Sequence, residues 1–212
     1  MKDMLIRPER PEERRAVESL VREAFWNLHV PGCDEHLCLH HLRSSPDFIP
    51  ELNLVAELRG QLVGQIAYTR ARIERPDGGA LTAVCFGPVA VLPGHQRRGI
   101  GSALIRHSLD EAARMGHERV LIYGDPRYYA RFGFRSGEVY GISAADGIYA
   151  VALMALSLKP GALAHAAGRF VESPDYDTDP EELEAFDAGF PPKQKAQTES
   201  QRVFEVLRSL RY

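Results

Sequence analysis

The stretch that most constrains the fold is residues 87–105, "GPVAVLPGHQRRGIGSALI". A β-branched run ends at a turn rich in glycine and arginine, and a helical pattern begins at Ile100 and continues to Gly116. We therefore predict a strand, a turn and an amphipathic helix that lies against a sheet or core. Its apolar side is formed by Ile100, Leu104, Ile105, Leu109, Ala112 and Met115.

The residues on either side of this unit predict a mixed α/β (α+β) fold. A short strand, a helix opened by residues 11–13 and a second helix over "EHLCLHHLR" precede two hairpins. After the central helix come a buried strand, a short helix and two further strands. The segments of this pattern are "DMLIRP", "LNLVAEL", "LVGQIAYTRARIE", "ALTAVCFGPVAVL", "RVLIYG", "DPRYYARF", "GFRSGEVYG" and "GIYAVALMALSLK". We expect a largely antiparallel sheet with one strand–helix–strand crossover.

Composition narrows the class of protein. The chain has 212 residues, of which 44% are hydrophobic and 26% charged, enough for one domain with an extension. A net charge of −3 argues against nucleic acid or anionic membrane as a default partner. The N-terminus lacks the apolar region of a secretory signal, and three cysteines without a disulfide-type spacing favour the cytoplasm.

The glycine turn can be compared with three phosphate-binding motifs. A P-loop requires Gly-Lys-Ser/Thr, and here Gly101 and Ser102 are adjacent with no lysine. A dinucleotide fingerprint requires a third glycine, where this chain has Leu104, and "PGHQRR" separates the strand from the glycines. The third candidate ligand is the pyrophosphate arm of coenzyme A.

Two motifs together resemble the GNAT N-acetyltransferase superfamily. "QRRGIG" (residues 96–101) is similar to that family's Q/R-x-x-G-x-G/A pattern, and "GDPRYYARFGF" (124–134) is similar to its later strand–turn–helix. The segments "SPDFIPELNLVAE" and "LSLKPGAL" look like predicted bacterial acetyltransferases of the YhbS type. The resemblance covers about residues 4–163 and implies a sheet with a splayed pair of parallel strands that bind coenzyme A. We therefore assign an acetyltransferase domain to residues 1–163 and a C-terminal extension to 164–212.

The resemblance also implies a cofactor site, with acetyl-CoA as co-substrate and no metal. Val89 and Val91 would pair with the pantetheine arm, and an amide near Val91 or Leu92 would polarise the thioester carbonyl. Pro88 suits a bulge that starts the splay, because proline lacks a ladder donor. The pyrophosphate would lie on Gln96, Arg97, Arg98, Gly99, Ile100, Gly101 and Ser102.

Acyl transfer to an amine also requires proton transfers. Tyr129 matches the family tyrosine that protonates the leaving thiolate, although a tyrosine in a turn can also serve only in packing. The general base is harder to assign, because the strand before the coenzyme A site, "LTAVCFGPVAV", contains no carboxylate. Asp125, His95 or a water relay could take this role, and Asp125 also suits a helix N-cap.

Two cysteine-containing features have alternative interpretations. "CDEHLCLHH" gathers Cys33, His36, Cys38, His40 and His41, residue types that bind zinc, but no second cluster stands at a finger-like spacing. We expect no metal there. Cys85 could be an acylated nucleophile, yet it lies in an apolar strand, so a buried structural cysteine is the favoured interpretation.

The sequence thus predicts an N-acyltransferase that moves an acetyl group to a primary amine by direct attack. The alternatives are an acyl-CoA-binding sensor without chemistry, favoured by the missing strand carboxylate, and a nicotinamide or flavin oxidoreductase. The acceptor is a small-molecule or peptide amine, in a pocket that includes Trp26, His29 and the "CDEH" turn. In the C-terminal extension we predict capped helices that begin at Asp179 and at Thr198. We expect the extension to pack on the core or on the second copy in a homodimer.

Overall fold

The computed structural model describes residues 3–212, and a single sheet organises them. The strands are β1 (Met4–Pro8), β2 (Leu54–Leu58), β3 (Gln61–Glu74), β4 (Ala80–Val91), β5 (Arg119–Tyr123), β6 (Arg135–Ser136), β7 (Ile142–Ser143), β8 (Leu153–Ser157) and β9 (Gly168–Val171). The main path of the sheet runs β1-β2-β3-β4-β5-β8-β6, and β9 pairs with both β3 and β7. All pairs are antiparallel except β4 with β5 and β7 with β9.

Six α-helices flank this sheet in the described residues. They are α1 (Arg14–Phe25), α2 (Glu35–Leu42), α3 (Ile100–Arg114), α4 (Pro126–Tyr129), α5 (Pro180–Asp187) and α6 (Glu199–Ser209). None of the helices within residues 3–212 has the length and apolar character needed to cross a membrane. The mixed, largely antiparallel sheet flanked by helices confirms the predicted fold class.

Helix α3 packs on the sheet through the predicted apolar face. Ile100, Leu104, Ile105 and Ala112 are essentially inaccessible to solvent, as burial of a continuous apolar stripe requires. Met115 is 43% exposed, so its assignment to this face was wrong. The reason is that α3 ends at Arg114 and the chain turns away at Gly116, whose φ is +87°.

The long strand β3 is buried on both faces and separates two helical layers. Ile66 and Tyr68 point toward the α3 side, whereas Ala67 packs with Val17 and Val21 of α1. This alternation follows the two-residue period of a strand. One edge of β3 pairs with β4, and the other pairs first with β2 and then with β9.

The strands β4 and β5 diverge soon after they meet. They pair in parallel only at Val84–Val120 and Cys85–Leu121. Just beyond these pairs the register of β4 against β3 shifts by one residue, because Gly87 and Pro88 on β4 lie opposite the single residue Ala67 on β3. The bulge predicted at Pro88 is therefore present, and a bulge bends its strand away from a neighbour.

The two strands predicted after α4 are much shorter than expected. In "GFRSGEVYG" only residues 135–136 pair, because a 3-10 turn over Gly137–Tyr140 follows. In "GIYAVALMALSLK" the strand is limited to 153–157, and the N–H groups of Tyr149 and Val151 bond instead to Tyr212 and Leu210. Contacts with the distant C-terminus thus replace the local strand pairing.

The C-terminal segment is tied to the rest of the chain. Strand β9 adds to the sheet beside β3. Both predicted helix starts are confirmed, since Asp179 accepts from two N–H groups of α5 and Thr198 forms a capping box with Gln201 before α6. These contacts are within one chain, and the division at residue 163 stays a prediction.

Candidate active site

A cleft of about 920 Å³ opens where β4 and β5 diverge. Its floor is β4 from Cys85 to Val89 and the end of β5 with the turn to Asp125. Tyr128 and Tyr129 of α4 form one wall. The other walls come from three segments distant in sequence and include Phe25, His29, Glu35, Cys38, Glu172, Tyr176, Ser200, Val203, Phe204, Leu207 and Arg208.

The β4 backbone offers free N–H groups on the side of the splay. Leu92 donates its N–H to the carbonyl of Val63 on β3, at 3.0 Å. Alternate residues of an antiparallel strand direct their N–H groups to opposite sides, so the N–H groups of Val89 and Val91 point away from β3. No strand occupies that side, because β5 pairs only as far as Cys85. The N–H group of Val91 therefore faces the splay, where it can pair with the pantetheine arm, whereas the N–H group of Leu92 does not.

The glycine turn that follows β4 has the backbone of an anion site. Arg97 and Gly99 adopt positive φ values of +59° and +82°, and Gly99 is the N-cap of α3 without any side-chain cap. The first N–H groups of α3 thus have no intrahelical or capping partner. The Gln96 amide donates to the Val91 carbonyl at 3.0 Å, which fixes the turn against the strand.

The side chains of the turn divide into exposed and buried ones. Arg97 and Arg98 are exposed and can pair with an anion. Ile100 is 1% exposed and packs in the core, so of this residue only the backbone faces the turn. Gly101 lies beside Tyr128, whose hydroxyl is 3.4 Å from the position of a Cβ at this glycine.

Tyr129 lies in the cleft wall with its ring enclosed by aromatic residues. The ring centroids of Phe86 and Phe134 are 6.0 and 5.9 Å away. Burial raises the pKa of the hydroxyl above its ordinary value, so the group stays protonated through the neutral range. Such a hydroxyl can donate a proton to a leaving group in the cleft.

The two side chains proposed as general bases, Asp125 and His95, lie in different parts of the structure. Asp125 is the N-cap of α4, where its carboxylate accepts from the backbone N–H of Arg127 at 2.9 Å. Hydrogen bonds from the Arg127 guanidinium also lower the pKa of this carboxyl. The cap role is thus confirmed. His95 lies outside the cleft, in a shallow depression with Leu58 and Arg98.

Glu172 lines the cleft, although no pattern in the sequence pointed to it. It follows β9, and its Oε2 accepts from the Sγ of Cys85 at 3.6 Å. Burial raises the pKa of its carboxyl to about 7. Cys85 is buried, as expected, but it has a carboxylate partner that no local pattern indicates, since 87 residues separate the two.

The cysteine and histidine cluster is engaged in packing and ion pairs. His36 is fully buried, and its Nε2 lies 3.1 Å from Asp187 of α5. His40 contacts Glu18 of α1 at 2.9 Å, and His41 contacts Glu182 at 2.8 Å. Among residues 3–212, no group of three or more histidine, cysteine or acidic side chains is placed to hold a metal.

Of the residues predicted to surround the acceptor, some line the cleft and others do not. His29 and Glu35 line the cleft and hydrogen-bond to each other at 2.8 Å. Trp26 does not line the cleft, because its indole N–H donates to the carbonyl of Gln194 and the Arg22 guanidinium covers its ring. Helix α6 supplies a wall that was not predicted, and its Phe204 stacks on the His29 ring at 4.2 Å.

Comparison with known proteins identifies the family. The family model described as an acetyltransferase (GNAT) domain matches residues 6–137. The uncharacterized N-acetyltransferase YhbS of Escherichia coli K12 is 32% identical over 132 residues, which are 62% of this chain and 73% of YhbS. The uncharacterized N-acetyltransferase YjhQ of the same strain is 36% identical over 85 residues, or 40% of this chain and less than half, 46%, of YjhQ.

Solved structures have the same architecture. E. coli YhbS in complex with CoA superposes with a TM-score of 0.72 at 24% identity, over 82% of this chain and 92% of that one. A GNAT family acetyltransferase from Brucella melitensis in complex with acetyl-CoA has a TM-score of 0.67 at 28% identity, over 82% and 98% of the two chains. The first match shows the fold, and the family model covers more than half of the chain. The chain therefore belongs to the GNAT family of acetyl-CoA-dependent N-acetyltransferases, in its YhbS-like branch.

Proposed function

We propose that this protein transfers the acetyl group of acetyl-CoA to a primary amine by direct attack. The observation that carries the proposal is the divergence of β4 and β5 after Cys85, which leaves the N–H groups of Val89 and Val91 without a strand partner. A pantetheine arm can pair with these groups as an added strand. The turn from Gln96 to Ser102 then receives the pyrophosphate, and Tyr129 protonates the sulfur.

The arrangement supports transfer in one step. Cys85 is the cysteine nearest the splay, but burial raises the pKa of its thiol well above the ordinary value. A neutral buried thiol is a poor nucleophile. An amine held beside the thioester needs no acyl-enzyme, because positioning itself supplies a large part of the rate enhancement. Mass spectrometry of the protein incubated with acetyl-CoA alone should show no acetyl adduct, and an adduct on Cys85 would contradict direct attack.

The alternatives from the sequence have weaker support. The acyl-CoA sensor was favoured by the missing carboxylate on β4, and Glu172 supplies a carboxylate to the cleft from another segment. The oxidoreductase is not supported by the family to which the chain belongs. Incubation with acetyl-CoA and a panel of primary amines should release free coenzyme A thiol and acetylated amine. Tight acetyl-CoA binding without thiol release for any amine would instead favour a sensor.

The cofactor site has its own test. Gly99→Val places a β-branched residue at a φ of +82°, which is strained for such a side chain, at the N-cap of α3. Gly78→Val is the matched control, because Gly78 has a φ of +86° in an open hairpin. Calorimetric titration should show at least a ten-fold loss of acetyl-CoA affinity for Gly99→Val only. Equal affinities would refute the site assignment.

Location and assembly are further proposals. Cys33, Cys38 and Cys85 are free thiols, which supports a reducing compartment such as the cytoplasm. The acceptor is proposed to be a small molecule or a peptide amine. Association of two copies through residues 164–212 stays a prediction, and sedimentation of the full chain with and without acetyl-CoA tests it.

A further inference from the structure

We propose that the acceptor is a monoamine with an apolar body that binds between Glu172 and the inner face of α6, and that Glu172 is the catalytic residue that takes its proton. The inference rests on the proposed acyl transfer and extends it to the acceptor. The carboxylate of Glu172, the apolar side chains of α6 and the splay of β4 all line the same cleft.

The position of Glu172 relative to the acetyl group follows from the direction of β4. The pyrophosphate turn follows the C-terminal end of β4, so the acyl end of the cofactor extends back toward Gly87. The four residues from Val91 to Gly87 span about 13 Å of strand. Tyr176 lies 3.7 Å from the Cβ position at Gly87, and the Glu172 carboxylate contacts Cys85, two residues earlier. The acyl end thus points toward Glu172.

Glu172 is also the carboxylate of the cleft that is free to bind an ammonium group. Asp125 is paired with Arg127, and Glu35 is paired with His29. Within residues 3–212, no lysine, arginine or histidine lies within 4.0 Å of Glu172 as an ion-pair partner. The titratable groups that interact with it are Cys85 on β4, Cys38 on α2, Tyr123 on β5 and Asp177 in its own segment, and Tyr176 lines the same cleft.

The walls opposite Glu172 are apolar and held in place. Val203, Phe204 and Leu207 line the cleft at helical spacing on one face of α6. At the start of this helix, the Thr198 hydroxyl donates to the carbonyl of Asn27 at 2.9 Å. At its end, Val151 donates to Leu210 at 3.0 Å, so both ends are anchored on opposite sides of the cleft.

The cations on this wall select against a second positive charge. Arg208 on α6 and Arg211, just after the helix, line the cleft, and Arg211 is paired with Asp146. An aliphatic or aromatic body fits the apolar wall, whereas a second ammonium would be desolvated near Arg208. We therefore expect monoamines to be preferred to diamines of the same length.

The proton balance of the reaction assigns a role to each group. The ammonium gives one proton to Glu172, and the neutral nitrogen attacks the thioester carbon. The C–N bond forms and the C–S bond breaks, while the Tyr129 hydroxyl protonates the leaving sulfur. The second nitrogen proton restores the Tyr129 hydroxyl, and Glu172 releases its proton to solvent. The products are the amide, free coenzyme A and one proton.

The environment of Glu172 makes its carboxylate better able to accept a proton from the ammonium group. An alkylammonium group titrates near ~10.4, so transfer to a carboxylate of ordinary pKa near ~4.3 is unfavourable by about six orders of magnitude. Because burial raises the pKa of Glu172 to about 7, the penalty falls to about three orders of magnitude. The carboxylate is still largely ionised above neutral pH, where it acts as the base.

The first test replaces the carboxylate with its amide. Glu172→Gln should lower kcat/KM for hexylamine by about 10²–10⁴-fold and abolish the rise of kcat/KM near pH 7, with acetyl-CoA affinity unchanged. Glu205→Gln, on exposed α6 surface, is the control. An unchanged pH profile would overturn the base role, and so would a parallel loss of acetyl-CoA binding, which indicates a structural role.

The second test addresses the α6 wall and the acceptor class. Phe204→Ala should raise the KM for hexylamine at least ten-fold, whereas Val206→Ala, 59% exposed, should not. Hexylamine should exceed 1,6-diaminohexane at least ten-fold in kcat/KM. Equal rates would overturn the acceptor class. If no amine reacts, the proposed function fails. The pocket can still be tested by calorimetric titration of hexylamine into the wild type and Glu172→Gln. Equal affinities of the two proteins for hexylamine would refute the proposed pocket.

Discussion

The α-carbon of Gly124 faces the ring of Tyr129 so closely that a Cβ at residue 124 would lie 2.3 Å from Cε2 of the tyrosine. Gly124 directly follows β5 and Tyr129 ends α4, so the contact fixes the tyrosine against the edge of the splay. Only a residue without a side chain allows this approach.

Gly124→Ala should therefore displace the Tyr129 ring from the cleft. Turnover should fall at least ten-fold, because a shift of about 1 Å in a catalytic group is costly, while acetyl-CoA affinity stays the same. Thiol release and calorimetry measure the two quantities. Gly79→Ala is the control, since its Cβ would contact only the flexible Asp77 side chain. Wild-type turnover in Gly124→Ala would show that the ring position is unimportant.

Tyr129→Phe should lower kcat by about 10²-fold or more without weakening acetyl-CoA binding. The ring packing with Phe86 and Phe134 is retained, and only the hydroxyl that protonates the sulfur is lost. The measurement is steady-state thiol release, with Tyr140→Phe as the control outside the cleft. Full activity in Tyr129→Phe would leave the residue a packing role only.

Arg43→Met should destabilise the fold by about 3–5 kcal/mol. The Arg43 side chain is 3% exposed and pairs with Glu9 and, at 2.7 Å, with Glu18, so its loss leaves the buried Glu9 carboxylate without a cation and leaves Glu18 with only Arg15 and His40. Urea unfolding gives the change in free energy. Arg59→Ala, at a surface pair with Asp3, should cost at most about 1 kcal/mol. Equal losses would show that burial does not strengthen the Arg43 pairs.

The Arg7–Glu13 pair should make stability depend on acid pH. Hydrogen bonds from Arg7 lower the pKa of Glu13 from 4.5 to about 2. The folded state thus holds the ionised form, and this contribution is complete above the unfolded pKa and is lost as the pH falls through the folded value. Glu13→Gln should therefore cost most stability at neutral pH and progressively less toward about pH 2. A constant difference in urea unfolding across that range would contradict the assignment.

The sequence by itself determined the elements that depend on near neighbours. The β4–turn–α3 unit, the Asp125, Asp179 and Thr198 caps and the glycine turn were predicted because helical periodicity, capping and turn chemistry act within a few residues. The paired motifs at 96–101 and 124–134 also indicated the family, which the family model over residues 6–137 confirms.

Only the tertiary structure decided what surrounds the acceptor end of the cleft. Glu172 reaches Cys85 because β9 adds to the edge of β3 that β2 leaves unpaired. Helix α6 crosses the cleft because its ends bond to the loops after α1 and before β8. These pairings depend on which distant backbone groups still lack hydrogen-bond partners, and which apolar faces are still exposed, once the sheet has formed. No local sequence pattern encodes them.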